Sequence, residues 1–303
     1  MSNFYQKLCD AISAASVREQ EPMSAHTTFR AGGPARYFVI PEGEKELAAV
    51  LAACREAEKA YYILGNGSNL LVSDAGYPGV MILLGSQFTE VVCPEGEPGV
   101  YELGAGVLLS RAAREAQKDG MTGFEFAAGI PGTVGGAAVM NAGAYGVSVA
   151  DAVTAVLAWD LWRGKTVSLP FDACAFGYRT SLFQGGRYVI LSVSLRLTPS
   201  REDMIRATMH SLTVRRATSQ PLDLPSAGSA FRRPVGAFAA KLIEEAGLRG
   251  YSIGGARGSD KHWGFLVNTG NATARDVRQL ITLIQDRVHR QSGIYLIPEI
   301  VME

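Results

Sequence analysis

The sequence predicts an α+β fold in two parts, a mixed-sheet domain entered through a βαβ unit and a smaller domain that combines helix and strand. Three observations carry this. A strand pattern over 36–40, an apolar stripe at Leu47, Val50, Leu51, Cys54 and Ala57, and a second strand over 61–64 make a βαβ start. Strand-like runs then crowd at 80–84, 89–93 and 100–103. Later, Thr198-Pro199-Ser200 interrupts the pattern: Pro199 stops a strand, and Ser200 with Asp203 resembles a capping box opening a new helix. The 303 residues, 47% apolar, suffice for both parts. Residues 1–25 read as a helix and lead-in, 26–198 as the first domain and 199–303 as the second.

Taken in order, Phe4, Leu8, Ile12 and Ala15 share one helical face, so the chain opens with a short amphipathic helix. His26-Thr-Thr and Gly32-Gly33-Pro34 lead into the first strand. A helix over 110–119 follows the third of the crowded strands, and two apolar-rich strands over 152–159 and 188–197 flank Phe176-Gly-Tyr-Arg-Thr-Ser181. In the second domain a long loop over 219–234 precedes a helix over 237–246, closed by Gly247, and strands near Tyr251 and Phe265. The last helix is capped by Thr273, buries Val277, Leu280, Ile281, Ile284 and Val288, and stops at Gly293. A final strand over 294–301 is interrupted by Pro298.

Composition narrows the function. Lysine plus arginine equals aspartate plus glutamate, 29 each, so no global basic field argues for nucleic acid. Cys9, Cys54, Cys93 and Cys174 are widely spaced and read as reduced. Asp10, Arg18 and Glu19 break any signal-peptide core, and no apolar run approaches membrane-spanning length, so a cytoplasmic protein is expected. His26, His210, His262 and His289 form no ligand-spaced pair, and no metal site is expected.

One stretch organises the chain: Gly129-Ile-Pro-Gly-Thr-Val-Gly-Gly-Ala-Ala-Val-Met-Asn-Ala-Gly-Ala-Tyr-Gly146. Glycine lets a backbone approach a ligand with no side chain between, so a large flat ligand against this stretch is one reading. The other is a small-residue contact where a helix crosses a sheet closely. Gly65-Asn-Gly-Ser-Asn69 follows a strand and resembles a phosphate-binding nest, in which consecutive N–H groups line a concavity. It is no Rossmann fingerprint, because Leu70 takes the third glycine's place and a strand follows. Gly104-Ala-Gly106 also lacks the third glycine, although a helix does follow it, which leaves a dinucleotide fold as an alternative. Gly164-Lys-Thr166 is no P-loop, since Trp159 stands where the first glycine belongs. Between Ser211 and Trp263 eight basic residues face four acids, a local excess suited to an anionic small substrate or to solvated helix faces.

These motifs stand in an order that resembles the UDP-N-acetylenolpyruvoylglucosamine reductases, the MurB family of peptidoglycan synthesis. The match runs from about His26 to the C-terminus: HTTF with GGPA, GNGSNLLV, GFEFAAGIPGTVGGAAVMNAGAYG, FGYRTS, SAGSAFRRP, LIEEAGLRGYSIGGA, KHWGFLVNTGNA and the closing PEI. The chain is similar to the shorter branch, which lacks an inserted tyrosine loop. The resemblance implies an FAD-binding domain of the vanillyl-alcohol-oxidase (PCMH) type, followed by a substrate-binding domain. It implies FAD, with the pyrophosphate at Gly65, Asn66, Gly67, Ser68 and Asn69 and further contacts at Gly129, Ile130, Pro131, Gly132, Gly135, Gly136, Asn141 and Gly143. Neither stretch holds a His or Cys, so the flavin is expected to be non-covalent.

The implied reaction takes a hydride from NADPH through FAD to the enolpyruvyl group of UDP-N-acetylglucosamine enolpyruvate. Charge left on the neighbouring carbon must then be stabilised and protonated. Arg179 would hold the substrate carboxylate with its fixed fork of donors. Local patterning alone would instead bury Phe176 and Tyr178 on one face and leave Arg179 in water. Ser229 takes the proton-donor position, where sequence alone suggests a turn residue. Glu299 takes the third, acting protonated toward the substrate carboxylate, although a solvent-facing acid at a strand end would look the same. Tyr178, Arg232, Arg233, Lys261 and His262 are candidates for the substrate or NADPH. Trp263, Ala25 and Ala31 depart from the usual family residues. A flavin oxidase on another substrate, or a flavin-binding sensor without turnover, would keep the glycine stretches but need not keep all three catalytic positions.

Overall fold

The computed structural model describes residues 3–303. They form two compact units interleaved in sequence: one takes residues up to Arg18, Val39–Asn66 and Met81–Arg215, the other Glu19–Phe38, Gly67–Val80 and Arg216–Glu303. Neither unit begins at residue 199, and the reason lies in two tethers. Thr198 and Pro199 pair with Thr122 and Met121, and the Tyr145 hydroxyl donates to the Leu212 carbonyl at 3.2 Å, which keeps the following helix with the first unit up to Arg215. The expected capping box is absent: the Ser200 N–H donates to the Gly120 carbonyl, and Arg201 takes both carboxylate oxygens of Asp203.

Along the chain, α1 (Asn3–Ala11) is followed by β1 (Val17–Pro22), β2 (Pro34–Val39), α2 (Glu44–Glu56) and β3 (Tyr61–Leu64). Next come β4 (Leu70–Leu71), β5 (Tyr77–Leu83), β6 (Val91–Val92), β7 (Val100–Gly104), α3 (Leu109–Lys118), β8 (Met121–Thr122) and α4 (Val134–Met140). Then β9 (Gly143–Ala144), β10 (Val147–Ser148), β11 (Val153–Asp160), β12 (Lys165–Pro170), β13 (Tyr188–Arg196) and β14 (Thr198–Pro199) lead to α5 (Glu202–Ser219). The remainder is β15 (Ser226–Ser229), α6 (Ala239–Glu245), β16 (Ser252–Ile253), β17 (Ala256–Gly258), β18 (Phe265–Asn268), α7 (Ala274–Ser292) and β19 (Val301–Met302).

The first unit is built on an antiparallel sheet of order β12-β11-β13-β7-β6. Val156 faces Val193 across β11 and β13, and Val193 faces Leu103 on β7, so alternation puts one apolar row inside. On α3, Leu109, Ala112, Ala113 and Ala116 are buried at helical spacing. Phe4, Leu8 and Ile12 are buried as expected, whereas Ala15 is exposed because α1 ends at Ala11.

Asp160, at the end of β11, is fully buried and receives Arg187 twice, at 2.6 and 3.2 Å, together with the N–H groups of Trp162 and Arg163. Chiefly through the Arg187 bond, its carboxyl is held at about 2, below the ordinary 3.8. A depressed folded-state value contributes stability above the unfolded value and loses it as pH falls through the folded one. Asp160→Asn should therefore lower Tm at neutral pH and flatten the part of the Tm profile between pH 4 and 2. Thermal melts of both proteins across that range check it, and parallel profiles would contradict it.

The second unit is organised on an antiparallel sheet of order β15-β18-β17-β16. Its core joins Leu248, Leu266, Val277, Leu280 and Ile284 with Phe29 and Leu71. The expected loop over 219–234 contains β15, where Ser226 pairs with Val267 and Ser229 with Phe265. At α7 the capping box is complete: Thr273 accepts from Asp276 N–H at 3.1 Å, Asp276 accepts from Thr273 N–H at 3.0 Å, and Gly293 ends the helix at φ 72°. The expected final strand shrinks to Val301–Met302, because Pro298 has no N–H and forms only an isolated bridge with Phe231. All four cysteines are free thiols. Among the described residues, no helix is long and apolar enough to cross a membrane, and no His, Cys, Asp and Glu cluster is placed to hold a metal.

Candidate active site

The first unit brings its two glycine stretches into contact. A Cβ on Gly65 would lie 2.7 Å from the Thr133 hydroxyl, and the Asn66 amide donates to the Pro131 carbonyl at 2.6 Å. Thr133, which sequence reasoning passed over, is the hinge of this contact, since the same hydroxyl accepts from Gly136 N–H at 3.3 Å. The close-packing reading of the glycines holds at several positions. A Cβ on Gly135 would meet the Ala105 Cβ at 2.8 Å, and one on Gly143 the Val147 carbonyl at 2.4 Å. The first N–H groups of α4 are spent on protein: Val134 donates to Val107, Gly135 to Ala105 and Gly136 to Thr133. Gly136 itself is exposed, with Thr133 as its one near neighbour.

In the second unit the rest of the nest is clamped. Gly67 has φ +58°, its carbonyl accepts from Thr28 N–H, and a Cβ there would fall 2.0 Å from the His26 carbonyl. The Asn69 amide donates to the Glu299 carbonyl at 2.9 Å, and the Asn69 carbonyl accepts from Val301 N–H at 2.9 Å. The bonds anchoring residues 65–69 thus use amide side chains and carbonyls, and none of them uses a backbone N–H of the segment. Gly67→Ala must enter the left-handed region and displace a backbone carbonyl, so a loss of about 2–4 kcal/mol in stability is expected. Chemical denaturation and the flavin content of the purified variant check this, and wild-type values for both would contradict it.

Arg179 lies in a tight turn. Gly177 and Thr180 exchange N–H to carbonyl bonds at 3.0 and 3.3 Å, and Arg179 has φ +54° at the turn's third position, which favours glycine or asparagine. Its guanidinium donates to the carbonyls of Asn141 at 3.3 Å and Gly143 at 3.0 Å, which fixes the plane of the fork. The burial expected from local patterning is reversed: Tyr178 is 57% exposed, and Arg179, half-buried, lies over its ring.

Ser229 and Glu299 occupy adjacent segments of the second unit. Glu299 N–H donates to the Ala230 carbonyl at 2.9 Å, and the Ser229 hydroxyl donates to the Phe231 carbonyl at 3.1 Å. Gly264 lies against this hydroxyl: a Cβ there would be 3.4 Å from Ser229 Oγ and 3.3 Å from His262 Nδ1. His262 Nδ1 accepts from Gly264 N–H at 3.2 Å, which assigns the neutral ring's proton to Nε2, and burial lowers the imidazole below its ordinary range. Arg232 has a buried Nε without an acceptor among the described residues, whereas Arg233 stacks on Phe238 at 3.9 Å. Lys261 donates to the Ala217 carbonyl at the end of α5, where a cation is favoured. Trp263 packs beside the second unit's core with Arg249 over its ring. A surface depression of about 540 Å³ along α7, near Arg278 and Asp286, holds none of the residues singled out by sequence.

The family model described as an FAD binding domain matches residues 35–170, and the one described as the C-terminal domain of UDP-N-acetylenolpyruvoylglucosamine reductase matches residues 220–302. The UDP-N-acetylenolpyruvoylglucosamine reductase of Clostridioides difficile (strain 630) is 42% identical over 298 residues, 98% of this chain and 97% of that protein. That of Caldanaerobacter subterraneus subsp. tengcongensis is 45% identical over 294 residues, 97% and 96% of the two chains. The chain belongs to this family.

The crystal structure of the reductase (MurB) from Thermus caldophilus agrees, with a TM-score of 0.81 at 36% identity, covering 94% of this chain and 99% of that one. The chain is accordingly an FAD-dependent oxidoreductase, a UDP-N-acetylenolpyruvoylglucosamine reductase of peptidoglycan synthesis. The FAD-binding match includes Gly65, Thr133 and Gly136. The C-terminal match takes in Ser229 and Glu299.

Proposed function

We propose that this reductase draws its electrons from NADPH and converts the enolpyruvyl group of UDP-N-acetylglucosamine enolpyruvate into the lactyl group of UDP-N-acetylmuramate. FAD, when bound, supplies the hydride relay between nicotinamide and substrate. Gly65 to Asn69 would hold its pyrophosphate through backbone N–H groups, and the exposed backbone at Gly136 would let it approach with no side chain between. Arg179 holds the substrate carboxylate and stabilises the negative charge that develops beside it. Ser229 gives its hydroxyl proton to that carbon, and Glu299 is the third catalytic group. His262 offers an Nε2–H donor and Arg232 an unmatched buried Nε–H, both suited to anionic oxygens of the nucleotide. The reading includes non-covalent flavin and a cytoplasmic enzyme, in keeping with four free thiols.

The observation that carries the proposal is Arg179, a long cationic residue held at a left-handed position with its guanidinium plane set by two backbone carbonyls. Strain of that kind persists where the surroundings over-determine it, as they do at a binding site. Incubation with NADPH and the enolpyruvyl substrate should consume the two in equal amounts and yield a product two mass units heavier. NADPH consumption without that product would refute the substrate assignment.

A further inference from the structure

Asn141 was expected among the flavin contacts, yet both ends of its amide are engaged inside the first unit. It is 6% exposed. Nδ2 donates to the Gly177 carbonyl at 2.9 Å, and Oδ1 accepts from Ala150 N–H at 3.1 Å. Its backbone caps α4 in the left-handed conformation, with φ 41° and ψ 57°, so its own carbonyl is turned toward the Arg179 guanidinium, which donates to it. Gly177 is the first residue of the strained turn that carries Arg179, and its carbonyl also accepts from Thr180 N–H.

One residue therefore bonds the turn at its entry and the guanidinium at its tip. Two others bind the far side: Gln184 donates to the Arg179 carbonyl at 3.0 Å, and the Ser181 hydroxyl to the Val139 carbonyl at 2.7 Å. Without such clamps a left-handed arginine would relax, since that conformation costs a bulky residue about 1–2 kcal/mol. Preorganised donors stabilise developing charge because they need no reorganisation during the reaction.

We propose that Asn141 is a positioning residue for Arg179, clamping its turn to the end of α4 so that the guanidinium is set before the substrate carboxylate arrives. The proposal rests on the reading of Arg179 as the carboxylate holder. It also removes the Asn141 side chain from the flavin contacts and predicts that its loss is felt on the substrate side alone.

Asn141→Gly tests this, because glycine keeps the left-handed cap and deletes only the amide. Asn141→Asp keeps the acceptor toward Ala150 and removes the donor to Gly177. In both variants flavin occupancy and the anaerobic loss of oxidised-flavin absorbance on adding NADPH should match wild type. Return of that absorbance on adding UDP-N-acetylglucosamine enolpyruvate should slow at least about tenfold, and calorimetry should show UDP-N-acetylmuramate binding weakened to a similar extent. Wild-type rates and product affinity in both variants would overturn the proposal. So would lowered flavin occupancy, which returns Asn141 to the cofactor, or an equal slowing of both steps with a lowered Tm, which makes it merely structural. Wild-type enzyme that bleaches but never recovers overturns the Arg179 reading as well, and that outcome is recognisable without any variant.

Discussion

Replacing Arg179 by alanine should slow delivery of hydride to the enolpyruvyl substrate by about 10²–10³-fold, the range seen when one preorganised donor to a developing anion is removed. The NADPH step should be untouched, because the bonds of Arg179 to Asn141 and Gly143 serve the turn that carries it. Arg179→Lys separates charge from geometry. Lysine keeps the positive charge but cannot donate in a plane to two carbonyls and a carboxylate, so it should recover only part of the loss. Rapid-mixing absorbance measurements of the two steps check both variants. A lysine variant as fast as wild type would reduce Arg179 to a point charge, and equal slowing of both steps in the alanine variant would remove its assigned role.

Ser229→Ala should cost about 10²–10⁴-fold in turnover, the usual contribution of a positioned general acid. The fold should tolerate it well, since the hydroxyl's bond is to the Phe231 carbonyl two residues on and β15 pairs with β18 through backbone groups. Flavin content and NADPH oxidation in the absence of substrate should be those of wild type. Ser229→Cys keeps a proton to give and should be faster than the alanine variant. A Ser229→Ala enzyme with wild-type turnover would show that another group protonates the product, and would revive the reading of Ser229 as a turn residue.

What could be read from the chain followed the range of the forces involved. The ends of α7 were legible because Thr273, Asp276 and Gly293 act through bonds within a few residues, and β3 was legible from its own pattern. The amphipathic face of α1 was read a turn too long, since its end depends on the segment that follows. β1, β12 and β15 were missed: β1 and β12 carry polar residues in place of a clean apolar alternation, and β15 pairs with β18, far away in sequence, as Ser229 does with Phe265. The interleaving of the two units was invisible for the same reason. At the site, the motifs named Arg179, Ser229 and Glu299, but not the residues that hold them. Thr133 reads as an ordinary helix cap, and only contact with Gly65 shows its second task. Asn141 was read as a flavin contact, because its amide's two partners, 9 and 36 residues away, are invisible in the sequence.

An anaerobic titration of the purified, flavin-loaded protein, followed by absorbance, shows whether one protein accepts electrons from NADPH and gives them to an enolpyruvyl UDP-sugar. Adding NADPH should abolish the oxidised flavin bands, and adding one equivalent of UDP-N-acetylglucosamine enolpyruvate should restore them with formation of UDP-N-acetylmuramate. Bands that vanish with NADPH and stay absent after the substrate is added would contradict the account.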